Sequence, residues 1–198
     1  MVVATVLLEF VVVVVVMGNT NIVGAFSAPT IRGLMMIQLN VSDFDMVEKF
    51  NEKDVIRHLK KCWIGAYKDV PGDVHVNKMI DCLENEGLKF IKPQDATMLV
   101  VGNEKILGTL VYSKRDVVYF WGMYIDPDHI GKGIGKYLLD FFQSELDQGV
   151  VIKAYVLEEK LKARRFYKNN GFCERSKDYL DVFCGKNMPA ILIEKRLG

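Results

Sequence analysis

The sequence predicts an α/β (α+β) domain with a mixed, mostly antiparallel sheet of six to seven strands and helices on both faces. Two observations lead there. Short apolar runs broken by turn residues follow one another between residues 98 and 125, as in an antiparallel meander. The pattern then twice reads strand, loop, amphipathic helix, which requires parallel crossovers.

Residues 1–34 form an atypical hydrophobic extension, and residues 35–198 read as one domain. Met36–Val41 is expected as the first strand. Ser42 reads as a helix cap, with Asp45 three residues on. Apolar residues at helical spacing run through Met46, Val47, Phe50, Val55, Ile56, Leu59 and Trp63 and are expected to form two helices. Pro71-Gly72 breaks the chain, and a further helix is expected over Val74–Asn85. Strands follow at Met98–Val101, Ile106–Tyr112 and Val117–Ile125, separated by Gly102-Asn103 and Lys114-Arg115-Asp116. Val150–Val156 is a fifth strand, and strands near Tyr179–Cys184 and Ala190–Arg196 close the sheet.

Composition narrows the function. There are 26 basic and 25 acidic residues, a net charge of +1, so no large positive field exists to hold nucleic acid. Cys62, Cys82, Cys173 and Cys184 show no C-x-x-C pair and no histidine at ligand spacing, so reduced thiols are expected and no metal. Val2–Met17 is almost wholly apolar, with Glu9 its one charge. A membrane span needs about 20 apolar residues, but this run meets Gly18-Asn19-Thr20-Asn21 first. No basic residue precedes it, yet Ala25-Phe26-Ser27 resembles a cleavage site. Three readings stay open: an appended β segment or oligomer contact, a membrane tether or signal, and a start that is not native.

The chemistry concentrates in Ile125-Asp126-Pro127-Asp128-His129-Ile130-Gly131-Lys132-Gly133-Ile134-Gly135-Lys136. A strand enters this stretch, glycines alternate, and a helix follows. Unpaired amides at a helix start, with the positive end of its dipole, make a phosphate site. It is not a P-loop: Ile130 stands where the first glycine belongs, and Tyr137 where the hydroxyl belongs. It is not a dinucleotide fingerprint either, because Lys136 or Leu138 falls on the third glycine position.

Downstream, Lys160-Leu161-Lys162-Ala163-Arg164-Arg165-Phe166-Tyr167-Lys168-Asn169-Asn170-Gly171-Phe172 follows the fifth strand. Together the two stretches resemble the GNAT superfamily of acetyl-CoA-dependent N-acetyltransferases. Its R/Q-x-x-G-x-G/A motif is matched at Gly133 and Gly135. Its N-x-x-A-x-x-F-Y-x-x-x-G-F motif is matched at Ala163, Phe166, Tyr167, Gly171 and Phe172. The resemblance covers roughly residues 36–197. Ile130 stands in place of the usual Arg or Gln, and Lys160 in place of the Asn.

The resemblance implies a GNAT fold in which the fourth and fifth strands run parallel but splay apart around acetyl-CoA. The backbone of Met123, Tyr124 and Ile125 would hold the pantetheine arm. Amides of Gly131, Lys132, Gly133, Ile134, Gly135 and Lys136 would hold the diphosphate, with Lys160 and Phe166 also against the cofactor. Tyr167 would protonate the departing thiolate, and a fourth-strand amide, that of Tyr124, would stabilise the oxygen of a tetrahedral state. Tyr119, Trp121 and Met123 alternate on that strand, are expected to share a face, and would line the acceptor pocket.

The implied activity is direct acetyl transfer from acetyl-CoA to a primary amine of a small molecule or peptide. The alternative is a non-catalytic CoA-binding or sensing domain. The amine must lose a proton from a group that titrates near pH 10, but no general base is legible. His129 reads as local loop structure, and His58 and His75 as surface residues. Use of acetyl-CoA favours the cytoplasm. The acceptor's identity and a homodimer stay open.

Overall fold

Helix α1 (Glu52–Tyr67) starts where local chemistry favours it. The Asn51 side chain accepts a hydrogen bond from the Lys53 amide at 2.9 Å, and Glu52 and Asp54 put negative charge at the positive end of the dipole. It is one continuous helix, not two. The structure is a computed structural model describing residues 44–47, 49–182 and 185–198. The N-terminal extension, the expected strand at Met36–Val41, the Ser42 cap and Cys184 lie outside these residues.

Asp45 and Met46, expected in a helix, instead form the short strand β1 (Asp45–Met46). They pair with Gly102 and Val101, and the Val47 amide continues to Val100 O at 2.9 Å. An open sheet edge offered these amides partners, and tertiary pairing overrode the local helical pattern.

After α1 the chain turns through Lys68–Gly72 into α2 (Asp73–Glu86). Strands β2 (Ala96–Gly102), β3 (Ile106–Lys114) and β4 (Val118–Ile125) form the meander. A 3₁₀ turn at Pro127–His129 leads to α3 (Ile134–Ser144). Then come β5 (Val151–Leu157), α4 (Leu161–Asn169), β6 (Cys173–Asp181) and β7 (Asn187–Arg196). Among the described residues the sheet has seven strands in the order β1-β2-β3-β4-β5-β7-β6. It is antiparallel except where β4 meets β5.

β6 begins six residues before the expected Tyr179. It is an edge strand bonded only to β7, and residues 173–179 are exposed on both faces. Such a strand has no apolar alternation to read.

Two apolar layers sandwich the sheet. Leu59, Trp63, Met79, Leu83, Trp121 and Tyr124 pack beneath α1 and α2. Leu110, Met123, Leu138, Phe142, Tyr167 and Ile193 pack beneath α3 and α4. No helix among the described residues is long and apolar enough to cross a membrane.

Leu138 is fully buried on α3, against the meander. Leu138→Ala is expected to lower unfolding free energy by about 2–5 kcal/mol, read from urea denaturation.

Candidate functional site

The site begins where two strands part. β4 and β5 pair only through Val118↔Ile152 and Tyr119↔Lys153. β5 stays bonded to β7 along its whole length, up to Leu157↔Ala190. β4 therefore diverges, and the register change that accompanies this is visible. Tyr112 faces Phe120 while Val111 faces Gly122, so Trp121 is the extra residue of a β-bulge. A bulge bends its strand and increases the local twist.

The bulge overturns one expectation. Tyr119 and Trp121 belong to the layer under α1 and α2, whereas Met123 belongs to the layer under α3. One inserted residue reverses the alternation, so the three share no common face. Trp121 is buried and donates from Nε1 to Ser113 Oγ at 2.8 Å; Tyr119 is half-buried beside it, with ring centroids 5.9 Å apart.

Backbone parity decides which amides face the opening. The Asp126 amide donates to Leu107 O at 2.9 Å, and Tyr124 is paired with Thr109. In an antiparallel ladder alternate residues turn both polar groups to the same neighbour. Tyr124 N–H therefore belongs to β3, contrary to the expectation that it faces the opening. Met123 and Ile125 turn their amides toward the β5 side.

Beyond β4, Asp126 accepts from the Asp128 amide at 2.9 Å and so starts the turn that carries Pro127 at its head. Lys61 of α1 donates to both Asp126 oxygens at 2.9 and 3.0 Å and to Asp128 at 2.6 Å. Burial opposes ionisation of Asp126, but these donors, with His129, outweigh it and hold its carboxyl at about 2. Next, Gly131 and Gly133 adopt φ of 83° and 86°, a region that side-chain-bearing residues rarely enter. Gly133 caps α3 without a side chain. The Tyr137 amide returns to Gly133 O, while those of Ile134, Gly135 and Lys136 find no acceptor among the described residues. Residues 131–133, which lead into this helix start, are exposed. Lys132 is exposed, and Lys136 pairs with Asp140.

Helix α4 delivers Tyr167. Gly171, with φ of 85°, ends it: the Phe172 amide donates to Tyr167 O at 3.0 Å and the Gly171 amide to Lys168 O at 3.1 Å. This is a Schellman cap, completed by the Tyr167–Phe172 ring contact at 5.3 Å. The F-Y-x-x-x-G-F spacing is thus the sequence form of a helix end that fixes a tyrosine. Tyr167 is fully buried, and its hydroxyl has no hydrogen-bond partner among the described residues. Burial raises its pKa well above the ordinary value, so it stays protonated. Phe166 packs edge-on against Tyr167 at 5.2 Å and also lies against Gly135, joining the two motifs.

Lys160 does not point to the glycine loop. Its Nζ donates to Ala66 O on α1 at 2.7 Å and lies 5.6 Å from the Tyr67 ring centroid. Two other histidine expectations fail. His58 is buried and donates from Nε2 to Tyr124 O at 3.1 Å; burial pushes its pKa down to about 4. His75 is buried and donates to Val182 O at 2.6 Å. Sequence reasoning missed Lys61, Ala66 and Tyr67. Lys61 lies 65 residues from its partner Asp126, and no local pattern announces such a pair.

The residues present fit a CoA thioester: an open strand edge on β4, a run of helix-start amides without acceptors among the described residues, and a buried tyrosine hydroxyl without a partner on α4. Residues 94–174 match the family model of the acetyltransferase (GNAT) domain. The fold is similar to that of the ribosomal-protein-S18-alanine N-acetyltransferase from Escherichia coli, with a TM-score of 0.55 and 16% identity over 78% of this chain and 93% of that one. A spermidine N-acetyltransferase SpeG chimera of Vibrio cholerae and hSSAT gives 0.52 and 18%, over 78% and 96%. The Salmonella typhimurium protein yncA, whose structure holds its cofactor acetyl-CoA, gives 0.52 and 16%, over 79% and 95%. At these identities the likeness shows the fold. No curated protein matches the sequence.

The Lys61–Asp126 pair has a defined pH signature. Asp126's folded pKa is below its unfolded value, so its contribution is present above about pH 4 and lost as pH falls through about 2. Lys61→Met is expected to cost about 1–3 kcal/mol at pH 7, discounted because the lysine side chain is 43% exposed. Urea unfolding should show the gap from wild type narrowing as pH approaches 2.

Proposed function

Since residues 94–174 match the acetyltransferase (GNAT) family model and the fold is similar to that of N-acetyltransferases, we propose that the protein is an N-acetyltransferase using acetyl-CoA. The observation that carries this reading is the early parting of β4 from β5, which ends at a glycine loop with free helix amides. Acetyl-CoA supplies the acetyl group as a thioester.

The chain's residues divide the work. The amides of Met123 and Ile125 bind the pantetheine arm as an added strand, and one of them faces the thioester oxygen as charge develops on it. The backbone of Gly131–Lys136 binds the diphosphate, with Lys132 adding charge at its rim. Tyr167, kept protonated by burial, donates to the sulfur as it leaves. Without a ligand, that hydroxyl is buried and unsatisfied, a condition that costs about 1–3 kcal/mol. Phe166 holds the face between helix start and tyrosine.

The acceptor is an amine of a small molecule or peptide, entering on the side of Tyr119. The two enzymes named above act on an alanine of a ribosomal protein and on spermidine, and an acylated nitrogen is the chemistry they share. Proton loss from the amine is assigned to water, since His58 and His75 are both buried against backbone carbonyls.

Titration calorimetry with acetyl-CoA is expected to show binding in the micromolar range, about 1–100 μM. Tyr167→Phe should lower kcat by about 10²–10⁴-fold in an amine-panel assay while leaving acetyl-CoA affinity within about threefold. Binding without any amine acetylated would leave a CoA-sensing domain instead. Gly133→Val, which forces a β-branched residue into positive φ at the cradle, should weaken acetyl-CoA binding at least about tenfold.

A further inference from the structure

We propose that Lys160 is itself an acetyl acceptor, so that the protein modifies its own chain at this residue. The inference rests on the acetyl-transfer reading above. Lys160 follows β5 directly, its amide donating to Leu157 O at 2.9 Å, and so stands on the β5 wall of the opening. Ala66, which receives its Nζ at 2.7 Å, stands on the other wall: it lines a small cavity with Tyr124, Ile125 and Ile130 at the end of β4. The side chain therefore reaches from the end of β5 to α1, beside the end of β4, and holds a primary amine there.

Three further observations describe that amine. It is half-buried, and loss of hydration lowers its affinity for a proton. The Ala66 carbonyl pins it, so little rotational freedom remains to be lost on reaction. The Tyr67 ring beneath it belongs to one cluster of buried phenols with Tyr124 and Tyr167. Lys195 is the informative contrast. Burial lowers its proton affinity too, but it lies over Phe172 and bonds Gln143 on the α3 side, away from the opening.

The step balances. The Lys160 ammonium gives one proton to water, and the Nζ lone pair forms a C–N bond to the acetyl carbon. The C–S bond breaks with its electron pair on sulfur, which takes a proton and leaves as the CoA thiol. The second Nζ proton then departs, giving an acetamide, a thiol and one net proton. Modification cancels the positive charge facing Asp69 and Glu159.

The test uses the full chain with acetyl-CoA carrying an isotopically labelled acetyl group, followed by intact-mass and peptide mass spectrometry, with calorimetry on the same sample. The expected result is one labelled acetyl on Lys160, formed at least about tenfold faster than any on Lys195, at a rate constant independent of protein concentration. Lys160→Arg should abolish that label and leave the remaining map unchanged. Binding of acetyl-CoA with Lys160 unlabelled overturns the inference and leaves the acetyltransferase reading standing. Equal labelling of Lys160 and Lys195, or a rate proportional to protein concentration, also overturns it. Absence of binding overturns the acetyltransferase reading itself.

Discussion

The two-residue contact between β4 and β5 governs everything else in this molecule. A parallel pair that stayed together would satisfy the backbone of both strands and leave nothing for a ligand. Here β5 keeps its hydrogen bonds to β7, so it stays in the sheet, while the bulge at Trp121 turns β4 away. The gap is therefore not a defect of packing. It is a strand edge inside a sheet, with polar backbone groups that need a partner. In the function proposed above, the two amides of pantetheine would be that partner.

Three supports keep the parted geometry in register. The first is the Lys61 ion pair, which ties the end of β4 to α1 through a nearly buried carboxylate. The second is the Schellman cap at Gly171, which fixes Tyr167 at the end of α4. The third is the contact of Phe166 with Gly135, where the starts and ends of two helices meet. Each support joins segments far apart in the chain or at a helix terminus. The amides at the start of α3 are thereby fixed by packing, and in the proposed function such a preorganised donor set would lose less on binding an anion.

Several unusual groups lie on the loop and helices that follow β4 and β5. Gly131 and Gly133 adopt conformations closed to most residues, and Tyr167 hides a hydroxyl without a partner. Lys160 reaches from the end of β5 to α1, against a carbonyl and an aromatic ring. These are conditions that a folded chain tolerates where function repays them. The chain also carries conventional features: a polar helix cap at Asn51, two apolar layers, and exposed ion pairs such as Arg115–Asp95.

The sequence by itself determined the main element types after residue 50, the mixed sheet with helices on both faces, and the two stretches that resemble acetyltransferase motifs. It could do so because those signals are local: apolar period, glycine at positive φ, and a tyrosine spaced from its helix cap. Only the tertiary structure decided that Asp45–Met46 joins the sheet, that β6 starts at Cys173, and that Tyr119 and Trp121 face away from Met123. It alone turned the Tyr124 amide toward β3, buried His58 and His75, and carried Lys160 to Ala66. Each of these depends on register or on a partner distant in the chain. A single inserted residue in one strand reverses faces and amide directions alike, and no periodicity along one segment records where its neighbour's bonds begin.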